Sequence, residues 1–357
     1  MDQPVYLQGR ALSSALGADL VSAIALIREQ AVPEPGRLLV ATDDAWPYYT
    51  IPFDECGWYA RARALVRAAI AECGASVDRD APLFVASSSL NVGALENGAP
   101  WLPDCLTFVE TIADWLAWRG PLAWVSTACT SSPVALLDAA ALVRSGAASR
   151  AVVLGIELRN RFSCAGFGAM HLLDRHAARP FGAKRGGLVL GEAVAALVVG
   201  SAPARWRVKG GANFVDARQP AGAHREVVAL AMNAALTDSG LHPRDVDLVN
   251  VQATGSLHND AEEGFALHAV FDQLPPLATL KTAIGHTLGA AGAAELALLT
   301  ACLEERTWPA LPDFEPDPLL GLRCSDHFAP PRHVLATALG FGGGHSCIVL
   351  EDTACPA

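Results

Sequence analysis

Apolar residues along this chain alternate between two textures. Short unbroken runs such as "PLFVASSS", "PLAWVSTA" and "RAVVLGIE" have the length and composition of strands buried on both faces. Between them lie stretches with apolar residues at helical spacing. "YARARALVRAAIAECG" reads as an amphipathic helix with its arginines on the polar side, and "DCLTFVETIADWLAWRG" as another. Residues 4–30 predict strand, turn, helix, and residues 180–200 predict apolar strand segments around a Gly-Glu pair. A second half starts near Ser201. There "HREVVALAMNAALTDSG" predicts a helix, "DVDLVNVQATG" a strand, "DAEEGFALHAVF" a helix and "PPLATLKTAIGH" a strand. "GAAGAAELALLTACLEERTWP" is a long helix stopped near Pro309, and "HVLATALGFGGGHSCIVLE" reads as two strands joined by a glycine turn.

Strands alternating with helices, mostly as continuous apolar runs, predict an α/β fold whose sheets are covered on both faces. The expected units are residues 1–200 and 201–357. Their cadence is similar, but no residue-level repeat connects them, and no low-complexity linker separates them.

Composition narrows the possible partners. The chain has 357 residues, 52% hydrophobic and only 18% charged, so it buries a large core and is expected to cover further apolar surface in a dimer. Its net charge of −11, without a block of Lys or Arg, argues against nucleic acid as a partner. The longest apolar stretch, "GGLVLGEAVAALVVG", is too short for a membrane span and carries Glu192. Nine scattered cysteines form no C-x-x-C pair and no zinc-spaced cluster, so no metal and no cofactor is expected. That cysteine usage, with an opening "MDQPVYLQG" that lacks a signal-like pattern, predicts a reduced, cytoplasmic protein.

One cysteine has a distinctive address. In "VSTACTSSPVALLDAAALVRSG" a predicted strand gives way to small hydroxyl residues, then to Val134, Leu137, Ala141 and Leu142 at helical spacing. Pro133 suits the first turn and Gly146 the end. Cys129 thus sits where a strand turns into a helix, and free amides at a helix start favour a thiolate. The competing reading is a buried core cysteine, the common fate of free cysteine.

Four segments stand out together: "STACTSS" with Cys129, "QATGSLHND" from Gln252 to Asp260, "KTAIGHTLGAAG" from Lys281 to Gly292, and "GFGGGH" from Gly340 to His345. Their order and spacing resemble the β-ketoacyl-acyl-carrier-protein synthases, the elongating branch of the thiolase superfamily. "RPFGAKRGGLVLGEA" is similar to that family's RPFDxxRxGFVxGEGA segment. The resemblance implies a thiolase-like, five-layered αβαβα fold made of two similar halves. It implies an acyl chain taken onto Cys129, then decarboxylative Claisen condensation with a malonyl thioester. By position, His286 hydrogen-bonds the malonyl thioester carbonyl, and Lys281 orders the site with Glu263 and Asp260. Phe341 matches the gating residue, its N–H pairing with that of Cys129 as an oxyanion hole.

The chain departs from the family at defined positions. The His of HGTGTxxND is Gln252 and the next Gly is Ala253. The closing Asn of GFGGxN is His345, the gate-side Phe is Leu339, and the Asp of RPFD is Gly182. Gln252 is the decisive change, since the missing histidine helps stabilise the enolate left by decarboxylation. A Gln amide N–H supplies a neutral donor in its place. His258 and His345 have no assigned role.

Two functions follow from the resemblance. One is an acyl-transferring and condensing enzyme of fatty acid or polyketide synthesis. The other is a non-condensing, chain-length-factor-like subunit beside an active synthase. Both imply an acyl carrier protein as partner and a homodimer or a heterodimer with a homologue. Arg159, Arg161, Lys184 and Arg185 are the candidate basic patch for an acidic carrier.

Overall fold

The computed structural model describes residues 3–53, 57–218 and 222–355. The strands are β1 (Tyr6–Ser13), β2 (Gly36–Ala41), β3 (Asp44–Tyr49), β4 (Leu83–Ala86), β5 (Leu122–Val125), β6 (Arg150–Glu157), β7 (Leu190–Gly191), β8 (Ala193–Gly200), β9 (Trp206–Val215), β10 (Leu248–Asn250), β11 (Leu277–Ala278), β12 (His333–Leu339) and β13 (Gly344–Asp352). The helices are α1 (Leu20–Arg28), α2 (Trp58–Glu72), α3 (Val92–Leu95), α4 (Cys105–Leu116), α5 (Ser131–Arg144), α6 (Arg161–Ala169), α7 (Arg225–Ser239), α8 (Asn259–Val270), α9 (Lys281–Ile284) and α10 (Ala291–Glu305).

Ten strands form one sheet in the order β11-β10-β12-β13-β9-β1-β8-β6-β4-β5. The arrangement is a palindrome of topology about the β1–β9 junction. On one arm β1–β8 and β8–β6 are antiparallel, and β6–β4 and β4–β5 parallel. On the other, β9–β13 and β13–β12 are antiparallel, and β12–β10 and β10–β11 parallel. Among the described residues, the pairs Tyr6↔Arg207 and Leu7↔Trp206 and the bond from Val208 N–H to Val5 O at 2.9 Å join the arms at β1 and β9. A repeat hidden from residue-by-residue comparison is therefore plain in space. Buried strands need apolar residues but not particular ones, so topology outlasts sequence.

Three apolar layers fill the gaps. Helices α2 and α4 pack Leu65, Val66, Phe108 and Ile112 on one arm's outer face, against Val85, Val152 and Leu154. Helices α7 and α8 cover the other arm with Val228, Met232 and Leu267. Between the arms, α5 and α10 are buried with Leu136, Val143, Leu298 and Leu299. Helix, sheet, helix, sheet, helix is the five-layered fold expected from the sequence.

Local signals set the helix ends. The Asp19 and Asp104 side chains accept from Ser22 N–H at 2.7 Å and Thr107 N–H at 2.9 Å, capping α1 and α4. Helix α5 ends at Arg144, and Gly146 follows with φ +78°.

The hairpin β2–β3, strand β9 and helices α3 and α6 escaped the sequence pattern. The hairpin β2–β3 joins β7 in a separate three-stranded sheet. Strand β9 alternates buried and half-buried residues, but its "KGGANF" centre breaks the apolar run. Helix α6, "RFSCAGFGA", buries only Cys164 and carries two glycines, so it lacks a helical stripe. Cys56 lies outside the described residues.

The Gly-Glu pair has a structural purpose. Glu192 is fully buried and accepts from both terminal nitrogens of Arg61, at 2.9 and 2.6 Å, and from Ile51 and Arg159 N–H, both at 2.9 Å. It ties α2, the end of the hairpin and the loop after β6 together. Glu192→Ala strands the mostly buried Arg61 and is expected to cost about 3–5 kcal/mol of unfolding free energy in denaturant titration. A loss below about 1 kcal/mol contradicts that role.

Candidate functional site

The site forms where α5 and α10 begin side by side. Gly292 makes the approach possible, because a Cβ there would lie 2.4 Å from Pro133 Cγ. Ser132 Oγ accepts from Ala293 N–H at 3.0 Å, joining the two helices by a hydrogen bond.

Cys129 lies in the tight turn just before α5. The turn requires φ +52° at Ala128, a left-handed position that non-glycine residues seldom occupy. The flanking hydroxyls hold it there. Ser131 Oγ donates to Ala128 O at 2.6 Å and accepts from Thr127 N–H at 2.9 Å, while Thr130 Oγ1 donates to Thr127 O at 2.6 Å. The small hydroxyl cluster of "STACTSS" is thus the scaffold of the cysteine.

Cys129 Sγ is 3.0 Å from His286 Nε2. The backbone N–H groups of Phe341 and of Cys129 itself lie close enough to the sulfur to draw its pKa down. Gly340 keeps the glycine turn close, since a Cβ there would lie 3.3 Å from Cys129 N. The Phe341 ring stacks on Phe167 of α6 at 5.1 Å between centroids. Phe167 was missed in the sequence because α6 was.

Electrostatics correct one expectation. The helix mouth predicted a stabilised thiolate, but burial pushes the Cys129 thiol up to about 12. The Phe341 N–H and Lys281 pull against that rise, and Glu157 adds to it. Burial, then the Lys281 charge, push His286 down to about 3. Thiol and imidazole are therefore a neutral pair at rest, because neither charge is solvated at this depth.

Lys281 corrects another. Its Nζ pairs with Glu295 at 2.7 Å, both side chains buried, rather than with Glu263 or Asp260. Asn250 Nδ2 donates to the same carboxylate at 3.1 Å. A single acidic residue inside the apolar run of α10 was the available signal for Glu295, since a buried charge requires a partner. Glu263 instead accepts from Gln252 N–H at 2.9 Å and Thr337 Oγ1 at 2.5 Å. Asp260 accepts from the N–H groups of Thr254, Gly255, Ser256 and Phe181 at 2.9–3.1 Å, fixing the loop that follows Gln252.

Gln252 is buried, and its Nε2 donates to Leu339 O at 3.2 Å. One amide hydrogen is thus spent on the strand leading into the glycine turn, leaving one uncommitted. His258 Nε2 bonds Ala223 O at 2.9 Å, and His345 is buried on β13. The basic patch is smaller than expected. Arg185 is buried, bonded to Asp317 at 2.6 Å, which leaves Arg159, Arg161 and Lys184 as exposed members, with Arg161 partly neutralised by Glu96 at 3.5 Å.

A cysteine on a tight strand-to-helix turn, an imidazole on its sulfur and a five-layered αβαβα frame define a thiolase-like protein. Residues 108–204 match the family "Beta-ketoacyl synthase, N-terminal domain" and residues 206–315 the corresponding C-terminal domain. A polyketide beta-ketoacyl synthase of Streptomyces cyaneus is 32% identical over 275 residues, 70% of this chain. The chain belongs to the β-ketoacyl synthase family. It spans 64% of that relative's length. In fold it is similar to a Xenorhabdus doucetiae ketosynthase in complex with its chain length factor (TM-score 0.81, 24% identity, 98% of each chain covered). It is also similar to a type II acyl-carrier-protein–ketosynthase complex (TM-score 0.80, 18% identity, 99% of this chain and 100% of that one covered).

Glu263 gives the site a pH signature. Burial pushes its carboxyl up to about 7 from an ordinary value of 4.5. The folded protein then binds more protons than the unfolded chain between these values, so the Glu263 contribution to stability falls as pH rises through that window. The loss is on the order of 3 kcal/mol. Glu263→Gln is expected to remove this slope when unfolding free energy is measured from pH 4.5 to 7. An unchanged slope means Glu263 is not the titrating group.

Proposed function

We propose that the protein is a β-ketoacyl synthase-type acyltransferase that loads an acyl chain from a carrier protein onto Cys129. The observation that carries this reading is the 3.0 Å contact of His286 Nε2 with the Cys129 sulfur, with the Phe341 and Cys129 N–H groups beside it. The sulfur attacks the thioester carbonyl while its proton passes to His286 Nε2. Once the sulfur is acylating, the two amides are free to hold the oxygen that gathers negative charge. The tetrahedral adduct collapses, the carrier's thiolate departs, and the His286 proton returns to it. A buried imidazolium is costly here, which favours its rapid discharge onto the leaving thiolate.

Condensation follows in this reading. A malonyl thioester loses carbon dioxide, its enolate carbon attacks the acyl carbonyl, and the expelled Cys129 thiolate takes up a proton drawn from solvent. His286, in its Nε2–H tautomer once the carrier thiol has left, donates to the malonyl thioester oxygen with the help of Gln252. Lys281, held by Glu295, sets the field at both. Gln252 supplies less than a histidine does, because it is neutral and one of its hydrogens is bound to Leu339 O. Acyl transfer is therefore expected to be intact and decarboxylation attenuated.

The partners proposed are an acyl carrier protein and a second synthase-like chain, either a copy or a homologue. Strand β5 ends the sheet with half-exposed residues Ala123, Trp124 and Val125, and such an edge needs cover. The chain-length-factor-like alternative is favoured by the tethering of Gln252 alone.

Peptide mapping after exposure to an acyl thioester is expected to find the added mass on Cys129 and none in Cys129→Ala. Gln252→His is expected to speed malonyl decarboxylation by about tenfold or more without changing Cys129 acylation, since one such donor is worth roughly 10²–10³ in rate. If neither wild type nor Gln252→His condenses, alone or beside a homologous synthase, the non-condensing subunit is the correct reading. Acylation mapped to another residue overturns the role of Cys129.

A further inference from the structure

The topological palindrome extends to the turns that carry the site. The turn Thr127–Ala128–Cys129–Thr130 leads into α5, and Thr287–Leu288–Gly289–Ala290 leads into α10. Ala128 and Leu288 share the same rare left-handed conformation, with φ +52° and +47°. Gly289 is thus the counterpart of Cys129. The strand ends cross over in the same way. Just past the end of β12, the Phe341 N–H reaches the Cys129 turn. At the end of β6, the carboxylate of Glu157 reaches the Gly289 turn and accepts its N–H at 3.2 Å.

Where the Cys129 turn leaves its amides open for a developing oxyanion, the Gly289 turn has its place already filled by an anion. Glu157 Oε1 also accepts from Ser88 N–H, Ser88 Oγ at 2.5 Å and Ser89 N–H at 3.3 Å. Its Oε2 accepts from Ser89 Oγ and, at 3.3 Å, Ser89 N–H. Burial pushes the Glu157 carboxyl up and these hydrogen bonds pull it back; because the backbone N–H groups can only donate, the set suits a carboxylate rather than a carboxylic acid. Among the described residues, no cation is a hydrogen-bond partner of Glu157. A Cβ on Gly289 would lie 2.7 Å from Oε1 and 2.9 Å from Ser88 N, so the cradle is closed around it.

We propose that Glu157 is the protein's own anion in the pseudo-symmetric mate of the oxyanion hole, and a positioning residue that holds the 286–290 turn, and with it His286, against Cys129. The inference rests on reading the Cys129 and Phe341 amides as an oxyanion hole. The carboxylate bridges the loop after β4 to the turn before α10, so it spans both arms of the fold beneath the reacting sulfur. The charged or titratable groups around Cys129 are His286, Lys281 and Glu157, and Tyr48 is a further neighbour of Glu157.

The test uses the thiol itself, independent of any acyl transfer. Iodoacetamide alkylation of Cys129, mapped by peptide mass, is followed across the alkaline range. In Glu157→Gln the negative charge is gone, and the rate profile is expected to bend over at lower pH than in wild type, by about half a unit or more. Looser packing alone raises the rate at every pH without moving the bend. In Glu157→Ala, formate is expected to restore the wild-type profile, whereas formamide and equal chloride do not. If Glu157→Ala folds only poorly, formate-dependent recovery of soluble protein is the same readout. An unmoved bend in Glu157→Gln, or rescue by formamide as good as by formate, overturns the proposal. Absent acyl transfer with a shifted bend refutes the enzymatic reading and leaves the Glu157 assignment standing.

Discussion

The site depends on two helix starts being pressed together. At the first turns of α5 and α10, the missing side chain of Gly292 receives the ring of Pro133, and Ser132 Oγ bonds the α10 backbone. That contact brings Cys129 and the turn after His286 into reach of each other. Both helices are buried between sheets, where packing leaves no slack for a different spacing. A bulkier residue at position 292 would separate Cys129 from His286 although it touches neither.

Burial at this depth governs the chemistry as much as the geometry. The charged groups under the site are each compensated: Lys281 by Glu295, Glu295 by Lys281 and Asn250, Glu192 by Arg61, Glu157 by amides and hydroxyls. Cys129 and His286 have no such compensation and stay neutral. A neutral pair is inert toward stray electrophiles yet needs only one proton shift to become nucleophilic. In the proposed reaction, the cost of that shift is what substrate binding and the two amides would offset.

The two arms have diverged in use while keeping one frame. One turn carries the cysteine with open amides; its mate carries a glycine with its amide on a carboxylate. The duplicated topology explains why a fold of this size centres its chemistry on one seam: only there do two helix starts and the ends of both arms' strands converge.

Much of this was legible in the sequence, and the remainder had a physical reason for being hidden. The alternating apolar runs and helical stripes dictated the strands and helices, because burial imposes period and length wherever an element is covered. Cys129 at a strand-to-helix turn, and the segments around Gln252, Lys281–His286 and Gly340–His345, were local patterns readable in order along the chain. What the sequence could not decide was pairing. Lys281 meets Glu295 and not Glu263 or Asp260, because the face of α10 toward Lys281 is set by its packing on α5. Arg185 is lost to a carrier surface because the fold buries it against Asp317. Glu157 is one residue at the end of an apolar strand, and its meaning lies wholly in the loops that close over it from both arms. The thiol's high pKa likewise follows from depth, a property of the packed molecule that no local stretch of residues contains.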